Sequence, residues 1–208
     1  MNKTNSPYTA AITGGGFLFS ETNALLPLLQ SPDRTSLLKE EALNNNLLHI
    51  NAERSRRKAI LEICRRYDAM QPSFWNDYQE MDENEQRIAL LLVMLKTYKI
   101  LFDFHVNVTM KKWNSVSKKV TLEDILIEFN EISANDNFVD SWTDNTKDRV
   151  ASAYLSILRK VGMLDKNCQL YAVDCDNFEY YLTHGEQWFL EACLLQPYQI
   201  ESIKKALI

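Results

Sequence analysis

Residues 88–101 read IALLLVMLKTYKIL. The stretch is hydrophobic nearly all round rather than along one stripe, which marks a helix enclosed by others at the centre of a bundle. Its longest apolar run, Ile88 to Leu95, is far short of the roughly 20 residues that cross a bilayer, so it is a core element and not an anchor. Working outward, only five glycines and five prolines interrupt 208 residues, and apolar side chains recur mostly at helical spacing. The chain is therefore expected to be all-α, with the apolar helix continuing past Leu101 toward Phe104 and Val108.

On the N-terminal side, the triple glycine Gly14–Gly16 reads as a backbone turn that lets two elements pack closely, followed by a helix from Phe17 through Leu29 that Pro27 bends or ends. Ser31-Pro32 suits the start of a second helix, which fades through Asn44, Asn45 and Asn46. A turn leads to a third helix, Glu53 to Tyr67, with Asn51 as its expected cap. It carries Arg54, Arg56, Arg57, Lys58, Arg65 and Arg66 in a chain whose formal net charge is -5. Cations in the first turns of a helix oppose its macrodipole, so an anion outside the chain would explain them. Ile60, Ile63, Cys64 and Tyr67 form the buried stripe, and Arg54, Lys58 and Arg65 fall within about 40° of each other on the opposite side. Two helices, a short Asn-rich turn and cations opening the second helix match a helix-turn-helix whose second helix enters a DNA major groove. Basic amphipathic helices also bind RNA or acidic proteins, and both alternatives stay open.

On the C-terminal side, Lys111, Lys112, Lys118 and Lys119 surround Trp113, either gripping a phosphate backbone and a base or forming a solvated rim round an inward-packed indole. Thr121 caps a helix ending near Ile132. In Thr143 to Val161, Val150, Tyr154, Ile157, Leu158 and Val161 share one face, while Asn145, Arg149, Ser152, Ser156 and Arg159 lie opposite. Short polar side chains let a helix approach base edges closely, and arginines among them contact guanine or phosphate, so this face suits a recognition helix. Gly162 ends it, Met163-Leu164 returns to the core, and Gln169 to Val173 reads as a strand. The order is that of a winged helix, against the alternative of a plain last bundle helix. Segments 178–183, 186–195 and 197–207 close the chain as helices. The sequence thus divides into an N-terminal helix-turn-helix-like part (1–70), central apolar helices and linker (71–120) and a winged-helix-like part (121–208).

The acidic balance and pI near 5.3 exclude a uniformly basic protein, so polyanion binding must come from patches. His49, His105 and His184 are isolated, the four cysteines form no C-x-x-C pair, and no nucleophile, metal or phosphate-loop spacing is present. No catalytic residue, metal or cofactor is expected. Met1 to Pro7 has no signal-peptide character, which makes the cytoplasm the expected compartment without membrane attachment.

Tyr8-Thr9-Ala10-Ala11-Ile12-Thr13-Gly14-Gly15, then Phe17-Leu18-Phe19-Ser20-Glu21-Thr22 and the leucine-rich helix to Leu29, resembles the start of the BrxA family of BREX (bacteriophage exclusion) phage-defence systems. Asn46 to Leu48, the Arg-rich helix, the apolar central helix and Arg159 to Leu164 follow in matching order. The resemblance implies a helical, non-catalytic accessory protein of antiviral defence with DNA-binding capacity, a fold reminiscent of NusB-type bundles, and other BREX components as partners. The leading expectation is double-stranded DNA binding. Arg54, Arg56, Arg57 and Lys58, with Arg65, Arg66, Lys111 and Lys112, would serve the backbone, and Asn145, Arg149, Ser152 and Arg159 the groove. If about six phosphates are neutralised, affinity falls on the order of a thousandfold between about 50 and 200 mM salt. An RNA-binding NusB-like role and a protein adaptor within the defence complex are the rivals.

Overall fold

A computed structural model describes residues 5–207, so the first residues of the Met1–Pro7 stretch lie outside it. The architecture is all-α. A 3-10 helix, Ala11–Gly14, precedes α1 (Phe19–Leu29), α2 (Arg34–Asn44), α3 (Glu53–Tyr67), α4 (Pro72–Glu80) and α5 (Glu83–Thr97). Then come α6 (Lys99–Phe104), a π-helical turn (His105–Met110), α7 (Lys111–Trp113), α8 (Leu122–Asn135), α9 (Asn137–Asp140), α10 (Asp144–Lys160), α11 (Phe178–Thr183), α12 (Gln187–Ala192) and α13 (Pro197–Ala206). Asp82 opens α5 with a capping box: its carboxylate accepts the Glu85 N–H, and the Glu85 carboxylate accepts the Asp82 N–H. Every residue from Ile88 to Leu95 is buried, as the all-round apolar pattern requires.

The helix does not run on unbroken toward Val108. Tyr98 is extended (φ -119°, ψ 102°) and separates α5 from α6. The break serves a polar hub. Arg66 of α3, fully buried, donates from Nε to the Tyr98 hydroxyl (3.0 Å) and from its two Nη atoms to the carbonyls of Phe17 and Gly16 (2.7 Å each). Tyr98 in turn donates to Glu62 (2.8 Å), which also accepts from Arg65 (3.1 Å). A buried cation is tolerated only when paired and fully hydrogen-bonded, and here a hydroxyl relays it to a buried carboxylate. The glycine segment is shaped to deliver its carbonyls: Gly16 and Leu18 both take left-handed conformations (φ 61° and 51°), the second uncommon for a leucine. A Cβ on Gly15 would lie 2.5 Å from Leu18 Cδ1, which accounts for the close packing this turn permits.

Other boundaries differ from the sequence reading. The second helix starts at Arg34 rather than at Ser31-Pro32, because Ser31 Oγ accepts the Asp33 N–H and closes a preceding turn. The third follows Ala52, and no side chain caps it, Asn51 included. At the C-terminal end, Thr121 forms a capping box with Asp124, and Gly162 (φ 77°) stops α10 as expected. Gln169 to Val173 is not a full strand: among the described residues the only β-pairing is two isolated antiparallel bridges, Lys119 with Gln169 and Leu164 with Leu170. With so few ladder bonds, the stretch is held by burial of Met163, Leu164, Leu170 and Val173.

α10 is positioned from below by His105 in the π-helical turn. The imidazole is buried, with Nε2 donating to the Ala192 carbonyl (2.7 Å) and Nδ1 left to accept from the Tyr154 hydroxyl (3.0 Å); Thr109 Oγ1 lies 2.6 Å from the same hydroxyl. Burial pulls His105 down to about 4.

Replacing Arg66 with methionine leaves two buried carbonyls and Tyr98 without their donor and is expected to cost about 3 kcal/mol or more, read as a lower denaturant midpoint. The unfolded chain binds a proton at His105 below about pH 6.5, whereas the folded chain does so only near 4. Stability is therefore fully present above about pH 6.5 and lost as pH falls toward 4, by up to about 3 kcal/mol. His105→Gln should flatten that slope in unfolding curves compared at about pH 7 and pH 5; an equal slope in both proteins would contradict it.

Candidate nucleic-acid interface

The turn between α2 and α3 is fixed by two buried side chains of opposite charge. The Glu41 carboxylate accepts the N–H groups of Asn46, Leu47 and Leu48 (3.0–3.1 Å). Arg56, about 5% exposed, donates to the carbonyls of Ala42 (2.8 Å), Leu43 (3.2 Å) and Ile50 (2.6 Å). The last carbonyls of α2 have no intrahelical partner, and the guanidinium supplies one. Arg56 and Arg66 sit roughly 200° and 120° round the axis from Arg54, on the inner side of α3. Both are thereby corrected from phosphate contacts to internal ties, saturated by backbone and tyrosine oxygens.

The outward side of α3 carries Arg54, Lys58, Leu61 and Arg65, all exposed. Arg57, also exposed, pairs with Glu53 (2.7 Å), and Arg65 with Glu62 (3.1 Å). Among the described residues no carboxylate pairs with Arg54 or Lys58.

α10 is capped by Thr143 Oγ1, which accepts the Thr146 N–H (3.2 Å). Val150, Tyr154, Ile157 and Leu158 are buried below it; Asn145, Arg149, Ser152 and Arg159 are exposed above. The 3-10 helix Ala11–Gly14 packs against both α3 and α10. Arg149 Nη2 lies 3.4 Å from the Thr13 carbonyl, and a Cβ on the neighbouring Gly14 would sit 4.0 Å from Lys58 Cδ. Side chains from the two basic helices thus reach adjacent residues of one turn, of which Gly14 is exposed and Thr13 half-buried. The sequence reading treated that turn as packing only; its position between two cationic helices is a tertiary fact with no local signal.

Lys111 and Lys112 lie on α7, apart from this junction. Lys112 pairs with Asp124. Although burial disfavours the Asp124 charge, hydrogen bonds from Lys112 and Thr121 hold it below the usual carboxylate range. Trp113 is part-buried against the core, with Lys118 Nζ 3.8 Å above its ring, so a solvated lysine rim describes this cluster. Among the described residues no group of His, Cys, Asp or Glu could hold a metal ion, and no helix is long and apolar enough to cross a membrane.

The sequence model of the BrxA family matches residues 6–173. The chain belongs to the BrxA family. A BREX protein BrxA from Bacillus cereus (strain H3081.97) is 23% identical over 157 residues, covering 76% of this chain and 78% of the relative. The fold is also similar to a crystal structure of an uncharacterized protein from Magnetospirillum magneticum, with a TM-score of 0.74 at 20% identity over 90% of this chain and 98% of the other. The BrxA segment contains both basic helices and the turn between them, while α11 to α13 lie beyond it.

Arg54 and Arg56 make a sharp contrast for mutagenesis. Arg54→Ala should leave the melting temperature almost unchanged, within about 0.5 kcal/mol. Arg56→Ala, which strips three carbonyls of their donor, should destabilise by about 2 kcal/mol or more. Similar losses in thermal unfolding would mean that Arg56 is not the tie described.

Proposed function

We propose that this chain is a non-catalytic double-stranded DNA-binding accessory component of a BREX phage-defence system, working in the cytoplasm with other BREX proteins. The observation carrying this reading is the convergence of Lys58 and Arg149 on Thr13–Gly14. It joins the outward faces of α3 and α10 into one basic surface, in which Arg54, Lys58, Arg149 and Arg159 have no carboxylate partner among the described residues.

Each helix fits a known way of reading a duplex. Residues 45–52 join α2 to α3, a longer connection than the roughly three or four residues of a standard helix-turn-helix, so the support from this pair is that α3 presents Arg54 and Lys58 at the protein surface. Around α10 the order is helix (α6 to α7), bridge residue Lys119, α8, α10, Leu164, then Gln169–Leu170, with the 169–170 stretch paired between the other two. With the short α9 inserted between α8 and α10 and isolated bridges in place of strands, this order supports reading α10 as the recognition helix of a winged-helix-like part. Lys58 and Arg54 act on phosphates; Asn145, Arg149 and Ser152 are short or forked enough for base edges.

Removing the inward and paired cations leaves Arg54 and Lys58 as the phosphate contacts of α3, and two such contacts lower the expected salt effect to on the order of tenfold between about 50 and 200 mM. The triple substitution Arg54/Lys58/Arg149→Glu should abolish gel-shift binding to duplex DNA with the fold intact by circular dichroism. Unchanged affinity and salt slope would defeat the proposal. Structured RNA of equal length that outcompetes the duplex would move it to an RNA target.

A further inference from the structure

Leu61 is 59% exposed at the centre of the basic side of α3, between Lys58 and Arg65. Nothing in phosphate binding calls for a leucine there. It borders a groove of about 450 Å³ between α2 and α3, floored by Leu38, Ala42 and Ile60 and flanked by Lys39 and Arg57. Once the ion pairs Arg34–Asp68, Arg57–Glu53 and Arg65–Glu62 are set aside, Lys39, Arg54 and Lys58 remain unpaired among the described residues. This face is apolar with a cationic surround.

The same chain carries the converse elsewhere. On α8, Ile127 is 56% exposed, with Glu123 one turn before it and Glu131 one turn after. Among the described residues no cation pairs with Glu123 or Glu131. α8 packs against α9, α10 and the π-helical turn, whereas α2 and α3 pack against each other and α1, and α3 also against the 3-10 helix and α5. One face is a groove and the other a helical ridge. An amphipathic helix laid in an apolar groove is a recurrent recognition mode, and opposite charges set its register.

We propose that the α2–α3 groove is a docking site for the α8 ridge of a second copy of this chain, with Ile127 seated against Leu61 and Glu123 and Glu131 facing Lys58, Lys39 and Arg54. The contact joins two different patches, so a docked pair still has one free groove and one free ridge, and copies can add head to tail. The contact shares Arg54 and Lys58 with the DNA surface but does not rest on the DNA reading.

The test is sedimentation equilibrium of the full chain, freed of nucleic acid by nuclease and high salt. Wild-type protein should self-associate at about 50 mM salt and come apart at about 500 mM, where the Debye length is a few ångströms. Leu61→Glu, which spoils the groove, and Ile127→Lys, which spoils the ridge, should each be monomeric, and both positions are exposed enough to leave folding intact. Mixed together, the two variants keep one good groove and one good ridge and should form a dimer that does not grow. A wild-type monomer at low salt, variants that associate like wild type, or a mixture that stays monomeric would each overturn the proposal. Gel shifts on Ile127→Lys, whose substitution lies off the basic surface, read DNA binding separately.

Discussion

The guanidinium of Arg66 is the constraint on which the rest of the structure depends. Its three bonds hold the Gly16–Phe17 backbone against α3 and fasten Tyr98, the residue that divides the central apolar helix. Without that division α6 would continue the line of α5, and the π-helical turn carrying His105 would not lie beneath α10. The left-handed Leu18 costs about 1–2 kcal/mol by itself and persists because the surrounding contacts over-determine it. Burying an arginine so deeply is a poor way to gain net stability, but it specifies one arrangement of three segments.

Polarity on α3 is thereby divided by depth. Inward cations satisfy carbonyls that helix ends and a glycine turn leave without donors; outward cations meet solvent or exposed glutamates. The two kinds alternate along fifteen residues, so charge density alone overstates the anion-binding surface. Glu41 shows the complementary arrangement, a buried acid that serves backbone N–H groups where the turn has no regular partners.

Much of the fold was legible in the sequence, because burial imposes periodicities that one-dimensional reading detects. The all-round apolar character of 88–95, the Thr121 start, the Gly162 stop and the proline opening of α13 are local signals with local causes. The break at Tyr98 was not legible, since an extended residue there is required by Arg66 and Glu62, more than thirty positions earlier. For the same reason Arg56 and Arg66 read as surface cations: a helical wheel places them away from Arg54 but cannot tell which carbonyls wait on that side. At the candidate site, the exposure of Arg54, Lys58, Arg149 and Ser152 followed from helical phase. The meeting of two helices over Thr13–Gly14 depended on tertiary packing alone.

The bond from His105 to the Ala192 carbonyl spans 87 residues, and it orders events during synthesis. Arg66 can close its network as soon as Tyr98 has left the ribosome. α10 emerges later with Tyr154 already facing His105, yet the imidazole stays half-satisfied until α12 follows. The Arg66 network thus needs nothing beyond Tyr98, whereas the seat of α10 is complete only once α12 is present.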